Sequence, residues 1–172
     1  MIETETDIIG CNDTSIYVLH HMLSAEQCEY FVREFDPVWR MQTISEYALW
    51  SKKLWEFTEH KFKDSWFANR KTGKTFQIIG FKDTITISKC RAPLNRHLDR
   101  QTGDEFKLFF YLTQHAKDAG TNFFDAYENK VEIKNQLGAG VLFDISLEHG
   151  SQPIPYGDLK ISVGVRPVIR YR

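Results

Sequence analysis

The chain sets a histidine and a carboxylate two residues apart in Arg96-His97-Leu98-Asp99. On an extended segment, side chains two apart point the same way, so both can reach one point in space. A second histidine, His149, stands at the end of the largely apolar run Gly138-Ala-Gly-Val-Leu-Phe-Asp-Ile-Ser-Leu-Glu-His149. A strand running into a loop is expected to deliver it to the mouth of a barrel. Two imidazoles and one carboxylate cover one face of an octahedral metal and leave three positions open, the ligand set of non-haem iron(II) sites. Zinc accepts the same ligands, usually in a tetrahedral site that keeps one water. The triad alone is compatible with either metal.

Lys160 adds a charge to this picture. It follows the turn Gln152-Pro-Ile-Pro-Tyr-Gly157 and opens an apolar strand. A lysine pointing into a barrel is costly unless an anion neutralises it, and a carboxylate-bearing cosubstrate near the metal would do so. The plain alternative is an exposed lysine at a strand end. Arg166 shares the strand parity of Lys160 and is the rival anchor, but Pro167 follows it, and Arg166, Arg170 and Arg172 read as a solvated basic end. His20, His21, His60 and His115 read as surface residues, and Trp50, Trp55 and Trp66 as packing of helices on a sheet.

The elements that must position these residues divide into a helical front and a β-rich back. Ser24-Ala-Glu-Gln27 has the form of a capping box, and Ala25, Cys28, Phe31 or Val32, and Phe35 recur at helical spacing until Pro37 ends the helix. Tyr47, Trp50, Leu54 and Phe57 predict a second helix over about 44–64. After the Asn69-Arg-Lys-Thr-Gly-Lys74 turn the period changes to two. Short runs rich in β-branched and aromatic residues cover 76–80, 84–90, 106–113, 121–125, 131–134, 140–144, 159–165 and 168–171. Strands without intervening helices predict an antiparallel sandwich or barrel, in an α+β, mostly β, chain. No repeat or long linker divides the chain, so 1–172 reads as one domain, with 1–68 as helical support and 75–172 as the β-barrel core.

Composition narrows the function classes. Of 172 residues, 42% are hydrophobic and 26% charged, which excludes disordered, collagen-like and coiled-coil chains. The net charge of -1 advertises no nucleic-acid binder, and the longest apolar runs are too short to span a membrane. Aromatics reach 14%, in keeping with packed β structure. Three cysteines, Cys11, Cys28 and Cys90, form no even framework and no C-x-x-C, which fits a reducing compartment. The start MIETETDII lacks a secretory leader pattern, so an intracellular, cytoplasmic setting is expected.

Taken in order, the landmarks resemble those of the Fe(II)- and 2-oxoglutarate-dependent dioxygenases, in particular the prolyl-4-hydroxylase-like branch. That family runs H-x-D, a hydrophobic strand ending Y-L-N or similar, G-G-x-T-x-F, G-x-[AG]-[VL]-[LI]-F, a distal His with a Pro-containing turn, and then Lys or Arg. This chain reads His97-Leu-Asp99, Phe109-Phe-Tyr-Leu-Thr113, Ala119-Gly-Thr-Asn-Phe123, Gly138-Ala-Gly-Val-Leu-Phe143, His149-Gly-Ser-Gln-Pro153 and Lys160. Its Leu23-Ser-Ala-Glu-Gln-Cys28 is similar to the start of the family's helical support. The resemblance covers most of the chain.

It implies a double-stranded β-helix (jelly-roll or cupin-like) barrel with N-terminal supporting helices. It also implies that His97, Asp99 and His149 are the catalytic metal ligands, binding Fe(II). Lys160 would pair with the far carboxylate of 2-oxoglutarate, with Tyr111 and Thr121 in the same pocket; for Tyr111 a core aromatic is the alternative. Dioxygen is the oxidant, and ascorbate serves as reductant in the family. Two departures bear on the substrate: Ala119 stands for the first glycine of G-G-x-T, and Lys89-Cys-Arg-Ala-Pro93 replaces the family's Tyr-x-x-Gly stretch with a shorter loop. The implied reaction is hydroxylation of an unactivated C–H bond, first of a prolyl or other residue in a peptide or protein, with release of succinate and CO2. A free amino acid or small metabolite is the next substrate class. A nucleic-acid demethylase, of which the R-x5-R spacing of Arg166 and Arg172 is reminiscent, a non-catalytic metal-binding barrel and a zinc hydrolase are weaker readings. Neither a membrane nor a nucleic acid is an expected partner, and the sequence leaves the oligomeric state open.

Overall fold

The computed structural model describes residues 6–11, 13–37, 43–100 and 102–172. The first five residues of the acidic start lie outside them. In chain order the elements are β1 (Thr6–Cys11), β2 (Thr14–Leu19), α1 (Ala25–Phe35), α2 (Ile44–Phe62), β3 (Phe67–Asn69), β4 (Lys74–Cys90), β5 (Phe106–Tyr111), β6 (Thr121–Phe124), β7 (Lys130–Ile133), β8 (Gly140–Asp144), β9 (Glu148–Ser151) and β10 (Lys160–Tyr171). Seven strands form one sheet in the order β1-β2-β8-β5-β10-β4-β3, and three form a second in the order β7-β6-β9. Every pairing is antiparallel.

Alternation along the strands separates two cores. Phe106, Leu108 and Phe110 of β5, Leu142 of β8, and Ile161, Val163 and Val165 of β10 face the helices, where Phe31, Phe35, Leu54 and Phe62 meet them. Each such buried side chain contributes roughly 1.5–3 kcal/mol. The opposite sides supply Tyr111, Val141 and Phe143, which join Ile16, Val18 and Phe123 in a second cluster between the sheets. That second space is the barrel interior, and it also holds the polar residues of the site.

Both helices begin as the residue chemistry requires. Ser24 accepts from the Gln27 backbone N–H while the Gln27 side chain accepts from Ser24 N–H, closing the expected capping box. Thr43 and Glu46 repeat the device for α2. Trp55 of α2 meets Phe81 of β4 edge-on at 5.1 Å, the expected helix-on-sheet packing.

The structure departs from the expected elements in four places. The front is not purely helical: β1 and β2 form a hairpin that joins the main sheet through β8. All six residues of β2 are buried, and four in succession, Ile16 to Leu19, are apolar or aromatic, so that strand shows a run in place of alternation. The two strands expected over 76–80 and 84–90 are one strand, β4, and those over 159–165 and 168–171 are one strand, β10. Register shifts at Val165/Pro167 and Val168/Ile169 absorb the irregular residues, which is how Pro167 is tolerated inside a ladder.

Candidate metal centre and its cavity

His97 and His149 face each other as a hydrogen-bonded antiparallel pair: His97 N–H donates to His149 O at 2.9 Å and His149 N–H to His97 O at 3.0 Å. Such pairs hold their side chains side by side, and here the ring centroids are 4.5 Å apart. His149 therefore stands on a strand, β9, and not in the loop that the sequence suggested. The H-x-D segment makes a single bridge instead of a strand of its own.

The two imidazoles turn the same nitrogen toward Asp99. His97 Nδ1 lies 2.7 Å from Asn95 O and His149 Nδ1 3.2 Å from Leu147 O. A carbonyl only accepts, so each Nδ1 carries a proton, and in the neutral ring each Nε2 keeps its lone pair. Both Nε2 atoms lie 3.6 Å from Asp99 Oδ1. Among the described residues, these three make the one cluster of three or more His, Cys, Asp or Glu whose donor atoms all fall within 4.8 Å of one another. Burial, opposed by Asp99, lowers the His149 pKa and favours the neutral ring that a metal needs. The lone pairs converge on one point, with backbone acceptors fixing both rings, so the donor set fits a divalent metal.

The neighbours of the ligands hold this geometry. Arg96, one residue before His97, pairs with Glu148, one residue before His149, and with Glu128, while its guanidinium lies 4.3 Å from the Phe124 ring centroid. Gly150 lets the two segments approach: a Cβ there would stand 3.0 Å from Arg96 N and 3.1 Å from Leu94 O. Gly150→Ala is expected to push the His97 segment outward by tenths of an ångström and to weaken metal binding about tenfold. Metal titration beside a thermal melt tests this, and unchanged affinity in a folded variant refutes it.

The triad opens on a cavity of about 150 Å³ whose walls include Phe109, Thr121, Phe143, Lys160 and Cys90. Lys160 is only 6% exposed, and its Nζ donates to Gly120 O at 3.1 Å. Burial, opposed by the nearby Cys90, lowers its pKa to about 8. Tyr111 is fully buried, shares a 2.7 Å hydrogen bond with Thr121 Oγ1, and lies with its ring centroid 5.5 Å from Lys160 Nζ. Burial raises the Tyr111 pKa, so the phenol stays protonated. Lys160, Tyr111 and Thr121 are thus gathered in one place. The rival, Arg166, is committed elsewhere: its Nε donates to Asp104 Oδ2 at 2.5 Å beside a neighbouring cavity. Burial opposes ionisation of Asp104, but hydrogen bonds from Arg166, Lys82 and Thr102 bring its pKa down to about 2.

Three positions differ from the sequence reading. Arg166 is an ion-pair partner and Arg170 donates to Gln77 Oε1, so the basic end is not simply solvated. The His115 side chain is 2% exposed and bridges Thr113 and Asp158 at 2.9 and 2.8 Å, although it had read as a surface residue. Thr113 Oγ1 in turn accepts from Ile161 N–H at 3.1 Å, so this chain of bonds pins the start of β10, where Lys160 sits. Lys107, which no motif marked, also lines the cavity. Its signal was present in Phe106-Lys-Leu-Phe-Phe-Tyr111, where it shares the parity of Tyr111.

No protein-family model matches the chain, and no curated protein matches it in sequence. Solved structures do match in shape. The viral collagen prolyl hydroxylase of Paramecium Bursaria Chlorella virus-1, in its 2OG complex, aligns with a TM-score of 0.51 at 14% identity, over 90% of this chain and 95% of that chain. A truncated form of the same enzyme aligns with a TM-score of 0.50 at 15% identity, over 99% and 97%. A Pseudomonas putida prolyl-4-hydroxylase gives 0.49 at 15% identity, over 88% and 91%. The expected prolyl-hydroxylase-like architecture is borne out: the chain has the double-stranded β-helix fold of the viral enzyme, with two supporting helices.

Proposed function

We propose that the chain is an Fe(II)- and 2-oxoglutarate-dependent dioxygenase that hydroxylates a prolyl or other residue of a peptide or protein. One observation carries the reading: three ligand atoms converge at the mouth of a cavity whose inner wall holds a buried lysine. The zinc and binding-module readings leave that lysine without a purpose. The chemistry supplied by iron(II) and the cosubstrate is oxidation of a C–H bond by dioxygen, with 2-oxoglutarate leaving as succinate and CO2. The collagen prolyl hydroxylase with this fold supports the peptide substrate.

The residues of the chain have separate tasks. His97, Asp99 and His149 hold the metal through two neutral imidazoles and one carboxylate. Lys160 offsets the far carboxylate of the cosubstrate in a place where water does not. The protonated Tyr111 and Thr121 fix the hydrogen-bonding wall beside it, and Phe109 and Phe143 keep the metal side apolar and exclude water. Free thiols at Cys11, Cys28 and Cys90 suit a reducing, intracellular setting. Among the described residues no helix is long and apolar enough to cross a membrane.

The test is turnover of 2-oxoglutarate to succinate by iron-loaded protein, followed by mass spectrometry of proline-containing peptide libraries. Succinate formation together with a +16 Da peptide supports the whole reading. Turnover with +16 Da products only among free amino acids moves the substrate to the small-molecule class. Bound iron with no turnover sinks the oxygenase reading.

A further inference from the structure

Two lysines point into the barrel, and only Lys160 is used above. In β5, Phe106, Leu108 and Phe110 turn to the helix-side core, which leaves Lys107 on the inner side with Phe109 and Tyr111. Its Nζ lies 2.9 Å from Asp99 Oδ2. That oxygen is out of contact with solvent and, among the described residues, has no hydrogen bond of good geometry, so the lysine reaches it as an ion pair and not as a well-aligned donor. The other oxygen, Oδ1, is the one facing both imidazoles. Gly164 of β10 lies across from the lysine stem, where a Cβ would stand 3.4 Å from Lys107 Cε.

We propose that Lys107 is a positioning residue that holds the outer oxygen of Asp99, so that the carboxylate offers a metal Oδ1 alone. The proposal rests on the metal-centre reading. A carboxylate can bind a cation through one oxygen or both. With two imidazoles and one oxygen, an octahedral metal keeps three positions open; a second oxygen would take one of them. The site needs those positions for ligands other than protein. Lys107 thereby defends the open side of the centre without touching metal or substrate.

Two effects of the ammonium compete. It orients the carboxylate, and it repels a dication. Loss of an outer-shell partner costs roughly 10–100-fold in metal affinity, whereas relief of repulsion would tighten binding. Orientation prevails because Asp99 Oδ2 is shielded from solvent and, among the described residues, no donor of good geometry stands ready to take over when the lysine is removed.

The experiment is anaerobic titration of the full chain with Co(II), read by its visible spectrum and by calorimetry, without turnover. Wild type is compared with Lys107→Met, Lys107→Gln, Lys107→Arg and His149→Ala, with circular dichroism confirming the fold. Lys107→Met is expected to bind Co(II) about 10–100-fold more weakly, with an altered visible band. Lys107→Gln, which keeps a neutral donor, should fall between it and wild type, and Lys107→Arg should restore both readouts. If Lys107→Met does not fold, the Gln and Arg variants carry the same comparison. Unchanged or tighter Co(II) binding with an unchanged spectrum in the folded Met or Gln variant overturns the proposal and leaves the centre intact. Absence in wild type of saturable binding that His149→Ala removes overturns the centre and the proposal together.

Discussion

His149→Ala or Asp99→Ala abolishes saturable metal binding and, with it, 2-oxoglutarate turnover: this is the largest effect expected of any single substitution. Either change deletes a ligand, so the loss should exceed the roughly 10–100-fold that removal of an outer-shell partner costs. Thermal melts separate lost binding from lost folding. A metal at 100 times its dissociation constant stabilises the protein that binds it by about 2.7 kcal/mol, so wild type should melt higher with metal and the variants should not. The three positions differ in collateral damage. His149 packs on Phe143 and Phe123, with centroids 5.0 and 5.6 Å away, and its truncation also opens a hole. The His97 side chain is 40% exposed, so His97→Ala should abolish binding with little effect on the metal-free melt. A metal-dependent rise in the melting temperature of all three variants would contradict the assignment.

Lys160→Met should raise the 2-oxoglutarate requirement far more than it changes the maximal rate. Truncating one partner of a buried, hydrogen-bonded charge pair costs about 2–5 kcal/mol, or roughly 30-fold to several thousand-fold in affinity. The cosubstrate-free protein should respond in the opposite sense. There Lys160 is a buried cation that donates to Gly120 O, so an apolar replacement of similar shape removes a penalty. Its folded pKa is about 8 against 10.5 for an ordinary lysine. Between those values the unfolded chain binds more protons, so wild-type stability rises with pH from about 8 to 10.5, and the penalty is fully present below 8. The melting advantage of Lys160→Met should therefore be greatest at neutral pH and shrink over that window. Cosubstrate binding follows the reverse course: above about pH 8 it should weaken by up to tenfold per unit, because the ammonium must be restored before it can pair. A pH-independent affinity would remove Lys160 as the anchor.

The parts of the site legible in the sequence were those whose residue types are chemically scarce at fixed order. His97, Asp99, His149 and Lys160 stand out because they fall in the order and at the distances of the landmarks that the chain resembles, although H-x-D or a strand-end lysine alone is ordinary. Tyr111 and Thr121 came only from the resemblance, through the Phe109-Phe-Tyr-Leu-Thr113 and Ala119-Gly-Thr-Asn-Phe123 landmarks. What stayed hidden was polarity that looks ordinary. Lys107 lies in a run of aromatics that no motif marks, and nothing in the sequence says that Asp99 faces it. His115 sits in a polar loop, and its burial depends on Asp158, 43 residues away. Strand β9, Glu148–Ser151, has no apolar period because its pairing with β6 and the bridge to His97 hold it. In β2 the reverse applied: burial on both sides erased the alternation that marks a strand. Periodicity reports one-sided burial, so it fails where an element is buried on both faces or on neither.

The order of strands in the large sheet also governs how the molecule can be made. Strand β10 follows both β4 and β5 in sequence, yet it lies between them, paired with β4 on one side and β5 on the other. Until residues 160–171 leave the ribosome, β4 and β5 are two exposed edges facing a gap, and Lys160 is not yet in place. During that interval the nascent chain carries open, aromatic-rich strand edges of the kind that recruit other chains. Emergence of this one segment then joins the two halves of the sheet and completes the cavity. Metal added to a nascent chain stalled before Lys160 should find its ligands synthesised but the barrel around them unclosed.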